Sequence, residues 1–129
     1  MKTKLHKLIG TAVLGVALVS QSFPAWAGAV STPQVAVGPS NAGGSMAGAR
    51  YSAGSTQYIG CTFSNTAGPY VLCSATDATG KSLSCIGTQA RHLAAAKAIT
   101  DFSNIEFGVG GGSSNCSRLT VYNYSYHLK

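Results

Sequence analysis

Apolar and polar side chains alternate along three short stretches in the middle of the chain, as in β-strands with one buried face. These stretches are residues 58–64, 70–75 and 82–86. Gly68-Pro69 marks a turn between the first two, and residues 77–80 have the Asp-first, Gly-last preference of a type I turn between the second and third. The pattern predicts a three-stranded antiparallel meander.

The hydrophobic period changes after the third stretch. Leu93, Ala96 and Ile99 recur at helical spacing, and Thr88 is of a type that caps helix N-termini, so we predict one amphipathic helix over residues 88–101.

Alternation returns in two further stretches, residues 105–109 and 118–124, on either side of a glycine-rich loop at 110–115. The predicted fold is therefore α+β: a single, largely antiparallel five-stranded sheet in the order β-β-β-α-β-β, with one helix.

Residues 28–56 have a different composition, dominated by Gly, Ala, Ser and Pro, with Arg50 as the only charged residue. Such a segment offers little apolar area to offset its backbone entropy. We predict a flexible leader over 28–56, followed by a disulfide-stapled domain over 57–129.

The first 27 residues have the organisation of a signal peptide. Lys2, Lys4 and Lys7 precede an uncharged run at 8–19, and Ala25-Trp26-Ala27 places small residues at the −3 and −1 positions of a cleavage site. The apolar run is too short to cross a hydrocarbon core of about 30 Å as a helix. We expect cleavage near Ala27, no stable membrane anchor, and a secreted or periplasmic protein.

Four cysteines follow the predicted cleavage point. Cys61, Cys73 and Cys85 are evenly spaced and fall on successive strands of the predicted meander, so they lie side by side on one face. A Cys61–Cys85 bond would skip a strand, about 10 Å, beyond the roughly 7 Å that a disulfide spans between Cα atoms.

Two disulfide pairings remain. Either Cys61 bonds Cys73 and Cys85 bonds Cys116, or Cys73 bonds Cys85 and Cys61 bonds Cys116. We favour the first pairing because its second bond clamps the helix crossover. A zinc site is disfavoured, since no two cysteines have the short spacing of a zinc knuckle and export favours oxidation.

The charge pattern excludes several partners. Beyond residue 27 the chain has six cationic and three acidic residues, and the cations are scattered, so nucleic-acid binding is not expected. No nucleotide, metal or other cofactor motif occurs, and we predict neither a cofactor nor a metal site.

Catalytic candidates are few. His92 and His127 are the only histidines after residue 27, and the three carboxylates are accounted for by a turn, a helix end and a strand. Hydrolase motifs such as Gly-x-Ser-x-Gly are absent from the sequence. We therefore predict no catalytic residues and a non-enzymatic protein; the alternative is a small secreted hydrolase that uses His92.

Tyrosines are the most suggestive surface residues. The alternation turns Tyr58, Tyr70, Tyr122 and Tyr124 away from the predicted core, and Arg118 lies on the same side as the last two. We predict that these five residues form a surface that binds a protein or a glycan, as in an inhibitor or an envelope or extracellular matrix component. The alternative is that the helix packs on this face and buries it.

One pattern resembles a known group of proteins. Tyr70-x-x-Cys73-x-Ala75-x-Asp77-Ala78-x-Gly80-Lys81, together with Ser125-x-His127-x-Lys129, is similar to small secreted bacterial proteins of unassigned function. The resemblance implies a bacterial, exported, disulfide-bonded domain. It implies no catalytic or ligand-binding residue.

Overall fold

The computed structural model describes residues 32–124. The predicted signal peptide lies outside this range, as does His127. In chain order the elements are β1 (Ala36–Val37), β2 (Asn41–Ser45), α1 (Met46–Arg50), β3 (Tyr58–Ser64), β4 (Tyr70–Thr76), β5 (Ser82–Gly87), α2 (Ala90–Lys97), β6 (Asn104–Val109) and β7 (Cys116–Tyr122).

The strands form two antiparallel sheets. One has four strands in the order β1-β2-β6-β7, and the other has three in the order β3-β4-β5. The prediction of a single five-stranded sheet is therefore wrong. After α2, β6 pairs with β2 and β7 pairs with β6, so neither strand extends the meander. Strands β1 and β2 come from the segment predicted to be a leader.

The meander itself is confirmed. Cys61 lies opposite Cys73, and Cys73 lies opposite Cys85, which places the three cysteines in one row. The disulfides are Cys61–Cys73 and Cys85–Cys116, the pairing that the sequence favours. The second bond joins the three-stranded sheet to β7 of the four-stranded sheet.

The buried faces of the two sheets form one hydrophobic core. Val71, Cys73 and Ala75 of β4 are fully buried, as are Ile105 and Phe107 of β6, and all belong to the same cluster. With so short a chain the core is small, which is why cross-links between its two layers matter for stability.

The segment predicted to be a flexible leader supplies part of this core. Val35, Val37, Ala42, Ala47 and Ala49 are all buried. The prediction was wrong because it considered only the small apolar area of alanine and glycine. Small side chains also let two backbones approach closely, so a short strand and a helix can pack tightly.

Helix α1 begins directly where β2 ends. The side chain of Ser45 accepts a hydrogen bond from the backbone N–H of Gly48, which is a standard N-cap. Gly48 is required here, because a Cβ at this position would lie 2.6 Å from the carbonyl oxygen of Pro33.

Helix α2 is shorter than the predicted helix over 88–101. Gln89 occupies the N-cap position and Thr88 does not, and Gln89 makes no side-chain capping bond. At the other end the amide of Asn123 donates to the carbonyl of Ala98, 2.9 Å away, which satisfies one of the free carbonyls. Within residues 32–124 no helix has the length and apolar character needed to cross a membrane.

Candidate functional site: a polar groove on the four-stranded sheet

The outer face of the four-stranded sheet follows from the alternation of β6. Because Ile105 and Phe107 are buried, Asn104 and Glu106 point to the opposite side. Register places Gly43 of β2 and Thr120 of β7 on either side of Glu106. The outer face therefore carries polar side chains at its centre and glycine beside them.

A groove with a volume of about 520 Å³ lies on this face. Its lining residues come mainly from the chain around β1 and β2 and from the exposed positions of β6 and β7: Pro33, Gln34, Ala36, Val37, Gly38, Asn41, Ala42, Gly43, Gly44, Asn104, Glu106 and Arg118.

Glycine shapes the floor of the groove. A Cβ on Gly43 would lie 3.0 Å from Cγ of Glu106, so the missing side chain is what lets Glu106 lie across β2. Both Gly43 and Glu106 line the groove.

Glu106 connects the charged and aromatic side chains of β7. Its Oε2 lies 3.7 Å from Nη2 of Arg118 and accepts a hydrogen bond from the hydroxyl of Tyr122 at 3.4 Å. The negative charge of Glu106 is the main cause that raises the pKa of Tyr122 above its usual value. The ion pair between Glu106 and Arg118 is exposed to solvent. Such a pair contributes only about 0–1 kcal/mol to the free energy of unfolding.

Tyr122 is also part of an aromatic pair. Its ring stacks with that of Tyr124, with centroids 6.1 Å apart and an angle of 27° between the planes. The pair lies at the end of β7, where Tyr122 is opposite Asn104 of the groove. Two stacked tyrosine rings thus lie next to a groove that contains amide, carboxylate and guanidinium groups.

The structure brings together only part of the predicted binding surface. Arg118 and Tyr122 lie on the outer face of β7, on either side of Thr120, and Tyr124 lies in the coil after the strand. Tyr58 and Tyr70 lie on the outer face of the other sheet, at opposite ends of the β3–β4 hairpin. Since the two sheets pack through their inner faces, the five residues do not form one surface.

Some residues of the groove were not predicted from the sequence. Glu106 was assigned only to the polar side of a strand, although the alternation of β6 and β7 would have allowed it to be paired with Arg118. The wall contributed by residues 33–44 could not be found, because that segment was predicted to be a leader.

His92 does not form the arrangement that a hydrolase needs. It is 2% exposed, and its ring lies against Gly87, where a Cβ would come within 2.9 Å of Nδ1. Among the described residues neither ring nitrogen has a hydrogen-bond partner, so no carboxylate orients this imidazole. Burial lowers the pKa of His92, and the nearby charge of Arg91 lowers it further.

No protein-family model, curated protein or solved structure matches this chain. The function is therefore inferred from the chain's own side chains and their geometry.

Proposed function

We propose that this protein is an exported binding module that holds a glycan in the groove of the four-stranded sheet. The observation that carries the proposal is the cluster of Glu106, Arg118 and Tyr122 beside a glycine floor. The tyrosines in the sequence suggest either a protein or a glycan as the ligand, so a protein partner is the alternative.

The chemistry of the groove favours a glycan. A saccharide presents hydroxyl groups that donate and accept hydrogen bonds, together with C–H faces that pack on aromatic rings. Asn41, Asn104, Glu106 and Arg118 supply donors and acceptors within one groove. The stacked Tyr122–Tyr124 pair supplies an aromatic surface next to it.

Export is part of the same proposal. The two disulfides indicate an oxidising environment, extracellular or periplasmic. We propose that the lysine-rich N-terminus directs the chain there and is removed near Ala27. The intact mass of the secreted protein tests this: it should correspond to residues 28–129, and a secreted form that retains Met1 would contradict it.

The binding proposal is tested on an array of neutral and acidic oligosaccharides. We expect the wild-type protein to bind a subset of the array, and Tyr122→Ala to lose on the order of 2 kcal/mol of binding free energy, as is common for an aromatic anchor. Arg118→Gln should weaken the same interactions. Both positions are exposed to solvent in part, so the free energy of unfolding should change little.

Tyr58→Ala is the matched control, because Tyr58 is a half-exposed strand tyrosine on the other sheet. It should bind the array as the wild type does. The groove is rejected as a glycan site if Tyr58→Ala and Tyr122→Ala lose the same binding free energy. It is also rejected if the wild-type protein binds no glycan on the array.

A further inference from the structure

Strand β3 is an edge strand of the three-stranded sheet and pairs with β4 on one side only. The Cα atoms of Cys61 and Cys73 are 4.0 Å apart, the close spacing of an antiparallel pair that does not exchange backbone hydrogen bonds. Such pairs alternate with bonded pairs along the ladder. The backbone N–H and C=O groups of Cys61 and Phe63 therefore point away from β4.

The opposite edge of the sheet agrees with this alternation. Because Cys61 and Cys73 form a non-bonded pair, Cys73 and Cys85 form a bonded one, and the backbone groups of Ile86 point outward from β5. The N–H of Ile86 indeed donates to the carbonyl of Ser114, 2.8 Å away. Within residues 32–124 no turn, loop or helix supplies the corresponding partner to the outward groups of Cys61 and Phe63.

The second half of β3 is the accessible part of this edge. Thr62 is exposed, the side chain of Phe63 is 40% exposed, and Cys61 is half-buried, whereas Ile59 is buried. We call residues 61–64 the open edge. Unpaired N–H and C=O groups along a strand are a template for another strand.

The other three sheet edges carry features that discourage strand pairing. Strand β1 has only two residues. Strand β7 carries the exposed charge of Arg118, and its Ser117 carbonyl already accepts a hydrogen bond from Arg91. The end of β5 is covered by the loop that bonds Ile86. Short length, charge and a covering loop are the usual ways in which proteins protect an edge.

Strand β3 has none of these features. It contains neither a charged residue nor a proline, and its register with β4 runs without a bulge. Strands β4 and β5 are also uncharged. The ammonium group of Lys97 lies 5.1 Å from the centre of the Phe63 ring, where it is attracted by the aromatic face. The strand itself thus offers a charged partner no complementary charge.

We propose that the open edge pairs with the open edge of a second copy of this chain. The two β3 strands run antiparallel about a twofold axis at Thr62, which joins two three-stranded sheets into one continuous sheet. Cys61 of each copy lies opposite Phe63 of the other, and the two residues exchange backbone hydrogen bonds through their outward groups.

The side chains of β3 suit pairing with themselves in this register. On the outer face Thr62 meets Thr62, which is a favourable cross-strand pair. On the other face the large Phe63 meets the small Cys61. Like charges directly opposite each other are the usual obstacle when a strand pairs with its own copy, and β3 has no charge to oppose. These features favour a second copy over a charged segment of another protein.

Hydrogen exchange followed by NMR on the disulfide-bonded protein tests the pairing directly. Between about 50 µM and about 1 mM protein, we expect exchange of the Cys61 and Phe63 amides to slow at least tenfold, because both are bonded in the dimer. The amide of Ser84 points outward from β5 and should not change. Sedimentation over the same range should show the mass rising from one chain towards two.

Thr62→Lys is the variant that separates this edge from other surfaces. It places two ammonium groups opposite each other at the twofold axis, so dimerisation should weaken at least tenfold. Ser84→Lys is the matched control, because it adds the same charge to an exposed position of β5 in the same sheet. It should dimerise as the wild type does. Both positions are exposed, so both variants should keep their fold.

Three results would overturn the proposal. The first is a mass of one chain at every concentration. The second is equal dimerisation of Thr62→Lys and Ser84→Lys, which would place the interface elsewhere. The third is slow exchange of the Cys61 and Phe63 amides at every concentration, which would mean that another segment of the same chain covers the edge. None of these measurements involves a glycan, so this proposal and the glycan proposal can fail separately.

Discussion

Two adjacent glycines in β2 face opposite sides of the four-stranded sheet and have different tasks. A Cβ on Gly44 would lie 2.8 Å from the Cα of Val35, and backbone cannot move away as a side chain can. A Cβ on Gly43 would have its one close contact with the flexible side chain of Glu106, at 3.0 Å, and the nearest backbone atom, the carbonyl oxygen of Ile105, would be at an ordinary 3.5 Å. Gly44 therefore permits the core to close, and Gly43 keeps the groove open.

Alanine at each position separates these tasks. Gly44→Ala should lower the free energy of unfolding by about 1–3 kcal/mol, as overpacking usually does, because the chain before β1 must move outward. Gly43→Ala should change it by no more than about 0.5 kcal/mol but weaken glycan binding, since the added methyl enters the groove floor. Urea denaturation and the oligosaccharide array measure the two effects. Equal stability of the two variants would contradict the packing of the segment before β2 against the core.

At the scale of elements, the sequence was sufficient wherever pairing is local. The β3–β4–β5 meander was predicted with the register that places Cys73 between Cys61 and Cys85, because alternation and turn residues determine a hairpin without reference to distant chain. The bounds of β6 and β7 were predicted to within two residues, and the burial of Ile105 and Leu119 agrees with the alternation in these stretches.

The missed elements depend on distant contacts. Strand β2 has the sequence Asn-Ala-Gly-Gly-Ser, which has no strand propensity of its own. It is a strand because β6, about sixty residues later, pairs with it along its whole length. The same long-range pairing separates the two sheets and builds the groove, so the tyrosine surface could be predicted only in part.

At the scale of the whole molecule, the two disulfides have different positions. Cys61–Cys73 lies within one hairpin, with a sequence separation of 12, whereas Cys85–Cys116 joins the two sheets with a separation of 31. A longer closed loop removes more entropy from the unfolded chain. The second bond also crosses the core, between two buried cysteines.

Paired alanine variants compare the two bonds. From the loop lengths alone, the Cys85→Ala/Cys116→Ala variant should lose about 0.8 kcal/mol more unfolding free energy than Cys61→Ala/Cys73→Ala. Urea denaturation of both variants against the wild type measures the difference. The substitutions are the same in both, which makes each variant the control for the other. The opposite result, a larger loss for Cys61→Ala/Cys73→Ala, would contradict the expectation. It would show that the β3–β4 hairpin depends on its disulfide more than the contact between the two sheets does.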